Sequence, residues 1–275
     1  MTPQRDKLYR KDEDMKNNTD IKTRKLETVA VKTSADNKEG ISASKNGVIS
    51  SDLRKSAEMD KHTVAVVKES YKSIRTNLIL SVVKSGCKKI VVTSSIPAEG
   101  KTTTSANLAI SLAQTDKKVL LIDADLRKPS LYKAMELHND PGFTNVLTGL
   151  VSFEEAVNET PYPNLHVLCA GISVPNPSEL LACEATGDFI ALMEEKYDYI
   201  IFDTPPVNTV SDALPIIQVS DGTVMVVRQN SSTTTEIEKA IKSIEFINGR
   251  IIGFVFNGAK SEKKKDSYGY GYIHK

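Results

Sequence analysis

The sequence predicts an α/β fold, a mostly parallel sheet with helices on both of its faces. Two observations carry that expectation. Short runs rich in Val, Ile and Leu alternate with helix-length segments through residues 62–259, the pattern of strand–helix–strand units. The runs are continuously apolar rather than alternating, which is how strands covered on both faces read. In such sheets ligands lie just beyond the carboxyl ends of the strands, so the chemistry is sought there.

Taken in order, strands are expected at 89–93, 118–123, 165–169, 199–203, 223–227 and 251–256, and helices at 67–82, 102–114, 178–196 and 235–248. In the first helix Val67, Tyr71, Ile74, Leu78 and Val82 share one face. Glu69, Lys72 and Arg75 recur on another, where ion pairs ordinarily form no more than a solvated surface. Ser178, between Pro177 and Glu179, reads as an N-cap followed by an acid in the first turn.

Two charged segments flank this domain. Residues 1–61 hold 14 Lys/Arg and 11 Asp/Glu but a single aromatic, Tyr9, too little apolar surface to offset the entropy of ordering, so a largely disordered leader is expected. The other reading of it is a basic arm touching anionic lipid or nucleic acid. Residues 260–275 form a charged, glycine-containing tail in which Tyr268, Tyr270 and Tyr272 alternate with Gly269 and Gly271. Its 16 residues span at most ~50 Å when extended.

The whole chain of 275 residues has 36 Lys+Arg against 35 Asp+Glu, a net charge of +1, which argues against a dedicated nucleic-acid binder. Cys87, Cys169 and Cys183 are widely spaced, without a CxxC pair, and read as reduced thiols rather than a disulfide framework or zinc site. Apolar runs such as 199–202 and 251–256 fall far short of the ~20 residues of a membrane span, and the amino terminus lacks the build of a secretory signal. A cytoplasmic protein is expected.

The first strand is followed by Ser94-Ser95-Ile96-Pro97-Ala98-Glu99-Gly100-Lys101-Thr102-Thr103 and then an Ala-containing helix. This is a phosphate-binding loop in which residues 97–103 are expected to line the nucleotide: backbone N–H groups and the helix N-terminus cradle phosphates, Lys101 reaches the β and γ groups, and the Thr102 hydroxyl ligates Mg²⁺. Gly100 lets the backbone approach the phosphates. Ser95 stands where the pattern usually has its first Gly. After the second strand, Asp123 and Asp125 alternate along extended chain and are expected to face one site, followed by Arg127. Asp203 ends the fourth strand and is suited to hold Mg²⁺ directly or through water. Three carboxylates around a metal-bound triphosphate also suit transfer to a hydroxyl that must lose its proton.

These features resemble the bacterial tyrosine kinases of capsule and exopolysaccharide synthesis, the BY-kinases. The likeness rests on the phosphate loop, on Leu121-Ile122-Asp123-Ala124-Asp125-Leu126-Arg127-Lys128-Pro129, on the motif ending at Asp203, on Pro175-Asn176-Pro177-Ser178-Glu179-Leu180-Leu181, on residues 69–78, and on the terminal tyrosines. It implies a P-loop NTPase-like fold and an ATP- and Mg²⁺-dependent protein-tyrosine autokinase. Tyr268, Tyr270 and Tyr272 are then phosphoacceptors for neighbouring subunits, and Asp123 or Asp125 takes the tyrosine proton. Arg127 either stabilises developing charge or makes a structural ion pair; Asn257 is either an adenine contact or a turn Asn before Gly258. Glu69, Lys72 and Arg75 match a segment that joins BY-kinase subunits into a ring, with Lys72 where Arg is usual.

The resemblance further implies a separate transmembrane activator of the polysaccharide chain-length-determinant type, acting through its cytoplasmic end and recruiting the kinase to the inner face of the plasma membrane. A cognate tyrosine phosphatase and control of capsule or exopolysaccharide synthesis follow from the same likeness. The alternative is a non-kinase ATPase switch akin to cell-division and plasmid-partition ATPases, binding partners or membrane. Those carry a second, early lysine in the phosphate loop, where this sequence has Ile96.

Overall fold

The computed structural model describes residues 61–259 together with three short strands ahead of them, β1 (Thr28–Ala30), β2 (Ser42–Ser44) and β3 (Val48–Ser50). The expectations for the rest of the leader and for the tail, including Tyr268, Tyr270 and Tyr272, lie outside the described residues. From α1 (Lys61–Ser81) the chain runs through β4 (Lys88–Ser94), α2 (Lys101–Ala113), β5 (Val119–Asp123), α3 (Leu131–Met135), α4 (Phe143–Leu147), α5 (Phe153–Ala156), β6 (Asn158–Glu159) and β7 (Leu165–Leu168). It continues through α6 (Pro177–Ala182), α7 (Glu184–Glu194), β8 (Tyr199–Asp203), α8 (Ala213–Val219), β9 (Gly222–Arg228), α9 (Thr234–Phe246) and β10 (Ile251–Asn257).

Eight strands form one sheet in the order β1-β10-β9-β4-β8-β5-β7-β6. All neighbours pair in parallel except the two-residue edge strand β6, which runs against β7. β2 and β3 form a separate antiparallel pair. The mostly parallel sheet is therefore as the sequence predicts.

Each central strand divides its apolar side chains between two cores by simple alternation. Ile90 and Val92, Val119 and Leu121, and Tyr199 and Ile201 join α1, α2 and α3 on one face. Val91, Leu120 and Ile122, and Ile200 and Phe202 join residues of α4 to α9 on the other. The predicted face of α1 is the buried one, since Val67, Tyr71, Ile74, Leu78 and Val82 are each at most 5% exposed. Tyr71 goes further than packing: its hydroxyl bonds the Thr104 and Asn107 side chains of α2, and burial pushes its pKa up to about 12.

Two local expectations are corrected. The single helix at 178–196 is two helices, because Cys183 takes an extended conformation (φ −77°, ψ 161°) between α6 and α7. Ser178 is not the N-cap; Asn176 holds that place with Pro177 in the first helical turn, and the Ser178 hydroxyl donates instead to Asp212. By contrast α9 opens on a reciprocal cap, in which Thr233 Oγ1 accepts from Glu236 N–H while the Glu236 carboxylate accepts from Thr233 N–H.

Phe202 is fully buried whereas Leu192 is 58% exposed. Truncating Phe202 to Ala is expected to cost ~3–5 kcal/mol, and Leu192→Ala to stay within ~0.5 kcal/mol. Urea unfolding followed by circular dichroism measures both; equal losses would contradict the two-core packing.

Candidate active site

The phosphate loop leaves β4 between its neighbours β8 and β9 and enters α2. This is a switch point in the sheet: after β4 the chain passes to β5 on one side, and β9 later lies on the other. Ala98 has φ 65° and Gly100 φ 93°, so two left-handed residues turn the loop. Gly100 answers a second constraint, because a Cβ there would lie 2.1 Å from Asn257 Nδ2. That amide donates to the Glu99 carbonyl at 3.0 Å. Asn257, at the end of β10, thus ties its strand end to the loop.

The Glu99 side chain is fully buried. Its Oε2 accepts from Ser95 N–H (3.0 Å), Ser95 Oγ (3.0 Å) and Ile96 N–H (3.1 Å). Its Oε1 accepts from Arg228 N–H (3.1 Å) and from the Ser232 hydroxyl. Pro97 and Ala98 stand exposed at the tip, while Lys101, Thr102 and Thr103 open α2, whose first N–H groups have no partner inside the helix.

The carboxylates converge on the same edge. Asp123 and Asp203 are register partners across β5 and β8, and both are buried. Asp203 Oδ2 accepts from Thr102 Oγ1 at 2.6 Å and Oδ1 from Ser105 Oγ at 3.0 Å. Burial raises the Asp203 pKa to about 6, against the pull of the Lys101 charge and the two hydroxyls. Asp123 accepts from the N–H groups of Asp125, Ser130 and Leu131 at 3.0–3.1 Å, so it also anchors the start of α3. Burial first, and Asp203 alongside it, hold Asp123 well above the usual carboxylate range. Asp125 is more open; it accepts from Lys128 N–H at 3.1 Å, and burial raises it while that bond and Lys101 oppose the shift.

Carboxylates crowded at this edge and lifted from their ordinary range, beside a hydroxyl, form the all-oxygen donor set of a hard divalent cation. Among the described residues no three His, Cys, Asp or Glu side chains form a metal cage of their own. Mg²⁺ does not require one, since it usually takes one or two carboxylates and completes its shell with phosphate and water. Thr102, Asp203 and Asp123 fit that role.

Other residues fall less directly around the centre. The Arg127 guanidinium makes a two-pronged pair with buried Asp212, Nε to Oδ2 at 2.7 Å and Nη2 to Oδ1 at 3.1 Å, so the ion pair is the arrangement seen. On α1, Glu69 and Lys72 pair with each other at 3.0 Å on the surface. Arg75 does not join them: its Nη1 donates to the Ser111 carbonyl of α2 at 2.7 Å. Ser105, Ser130, Asp212, Arg228 and Ser232 belong to the site's framework without having been expected. Only Ser105, three residues beyond Thr102 on one helix, was recoverable from spacing.

A family model described as "AAA domain" matches residues 87–252. Tyrosine-protein kinase YwqD of Bacillus subtilis strain 168 is 38% identical over 226 residues, covering 79% of this chain and 95% of that protein. Putative tyrosine-protein kinase CapB of Staphylococcus aureus is 33% identical over 206 residues, 75% of this chain and 90% of its own. The crystal structure of the chimeric protein CapA2B2 superposes with a TM-score of 0.72 at 27% identity, covering 90% of this chain and 99% of that one. With these likenesses over a P-loop site flanked by Asp123, Asp125 and Asp203, the chain belongs to the bacterial tyrosine kinases, the BY-kinase family.

Proposed function

We propose that this chain is an ATP- and Mg²⁺-dependent autokinase that moves the γ-phosphoryl group onto Tyr268, Tyr270 and Tyr272 of neighbouring subunits, and through that modification regulates capsule or exopolysaccharide synthesis. The observation that carries the reading is the meeting of Lys101 and Thr102 with Asp123, Asp125 and Asp203 at the carboxyl ends of β4, β5 and β8. The helix N-terminus and the N–H groups of the loop bind the phosphates. Lys101 offsets charge on the transferring group. Thr102, Asp203 and Asp123 are the residues that would hold Mg²⁺, which when bound would supply positive charge to offset that of the phosphates.

In the transfer, the bond from the γ-phosphorus to the ADP oxygen breaks, and one to the tyrosine oxygen forms. A tyrosine hydroxyl has a pKa of about 10, so its proton needs an acceptor. Asp123 or Asp125 takes it. Arg127, fixed by Asp212, positions the loop that carries Asp125.

Position 96 is Ile rather than a second lysine, which favours this reading over a partition-type switch. No helix among the described residues is long and apolar enough to cross a membrane. We assign membrane recruitment to a separate transmembrane activator of the chain-length-determinant type, with a tyrosine phosphatase reversing the modification. Assembly into a ring through Glu69, Lys72 and Arg75 belongs to the same proposal.

Lys101→Ala is expected to abolish phosphotyrosine on immunoblots of the full chain supplied with ATP, Mg²⁺ and the activator's cytoplasmic segment. Replacing Tyr268, Tyr270 and Tyr272 together by Phe should remove most of the signal and leave ATP binding intact. Unchanged modification of that triple variant would refute the acceptor assignment, and ATP hydrolysis with no phosphotyrosine in the parent chain would favour the switch.

Gly100→Ala is expected to weaken nucleotide binding and to destabilise the fold by ~1–2 kcal/mol from the left-handed backbone alone. Adding Asn257→Ala removes the close contact but not the strained φ. Denaturant melts of the single and double variants separate the two effects, and full recovery in the double variant would show that crowding alone demands the glycine.

A further inference from the structure

We propose that Glu99 is a positioning residue whose buried carboxylate staples the phosphate loop to the β9–α9 connection, so that nucleotide affinity is set in part by Ser232, a residue outside every phosphate-binding motif. The inference rests on the reading of residues 97–103 as a nucleotide site and assigns a further function to a side chain within it.

A carboxylate is an unexpected occupant of an anion-binding loop. Left without donors it would repel phosphate and carry a heavy desolvation cost. Here all five of its polar neighbours are donors: three backbone N–H groups (Ser95, Ile96, Arg228) and two hydroxyls (Ser95, Ser232). The arrangement spends the Ser95 and Ile96 amides on Glu99. Phosphate recognition is left to the later amides, toward Gly100 and the start of α2.

The same geometry accounts for Ser95 at a position where glycine is usual. Its hydroxyl lies 3.0 Å from Glu99 Oε2 and 3.1 Å from Ser232 Oγ, closing a three-residue network. Ser232 is 133 positions from Glu99 in the chain, and Arg228 ends β9. Further bonds reach the same stretch of loop, since Arg228 Nη1 donates to the Ala98 carbonyl at 3.4 Å and Asn257 to the Glu99 carbonyl. The loop tip is therefore held from the ends of β9 and β10 as well as from β4. This is preorganisation of a phosphate cradle by a partner that touches no phosphate.

The test is equilibrium binding of a fluorescent ADP analogue to the full chain with Mg²⁺, for the parent and for Glu99→Gln, Glu99→Ala, Ser232→Ala, Ser232→Thr and the Glu99→Ala/Ser232→Ala pair. Ser232→Ala is expected to raise Kd ~3–10-fold and Glu99→Ala ~10-fold or more, in line with loss of a hydrogen bond to a charged group. Gln at 99 should also weaken binding, because its amide places donors against donors. Ser232→Thr keeps the hydroxyl and should restore affinity. The double variant should bind like Glu99→Ala, since residues in one network are not additive. Autophosphorylation at saturating ATP should fall less than affinity. If Glu99→Ala does not fold, Ser232→Ala and its threonine counterpart carry the test. Lowered melting temperatures with unchanged Kd would overturn the proposal and leave only a structural role. A parent chain that binds no nucleotide overturns the site assignment and this inference together, whereas a parent that binds and a Ser232→Ala that binds equally well overturns the inference alone.

Discussion

The hydrogen bond from Thr102 to Asp203 joins the two parts of the site that the chain supplies separately. Thr102 stands at the start of α2 because the phosphate loop ends there, and Asp203 stands at the end of β8 because a buried apolar run ends there. Parallel pairing of β4 with β8 and of β8 with β5 brings Asp203 beside both the loop and Asp123. Ser105 adds a second bond from the next turn of α2. A parallel sheet covered on both faces leaves its strand ends as the place where polar groups can gather, so the same burial that stabilises the fold concentrates charge at that edge. Burial above all, and for Asp123 the neighbouring Asp203, then lifts the carboxylates from their ordinary range.

Most of the central architecture was legible in the sequence because it depends on local signals. β4, expected at 89–93, is Lys88–Ser94, and β8 coincides with its expected bounds. The buried stripe of α1 follows from helical spacing alone. The short helices α3, α4, α5 and α8 were not legible, because four to seven residues are too few to display a period. The break at Cys183 is a single residue leaving helical geometry in a segment whose apolar pattern continues through it.

The site divides along the same line. Lys101, Thr102, Asp123 and Asp203 sit where strand-end reasoning puts them. Glu99, Asn257 and Arg127 also have partners 85 to 158 positions away, and no local pattern encodes those contacts. Glu99 shows the difference most clearly. As one letter of a phosphate loop it reads as backbone; its side chain links the loop to the β9–α9 connection because the fold brings Arg228 and Ser232 beside it. Ser178 shows the converse, a residue with good local credentials for a cap whose hydroxyl is drawn to Asp212 by tertiary structure.

Arg75 bears on the ring assembly proposed above. Its motif neighbours Glu69 and Lys72 remain at the surface, paired to each other, and an exposed pair of that kind contributes little to stability. Arg75 instead donates to the Ser111 carbonyl near the end of α2, and hydrogen bonds from charged donors are typically worth ~1.5–3 kcal/mol. That contact joins α1 to the helix that begins with Lys101 and Thr102. An interface that recruited Arg75 to a neighbouring chain would have to replace the bond to Ser111, and would then act on the far end of α2 from the phosphates. Glu69 and Lys72 impose no such exchange. Were subunits to assemble through this segment as proposed, Arg75 alone of the three residues would couple the interface to the nucleotide helix, while Lys72 lacks the two-pronged fork of Arg for a contact across it.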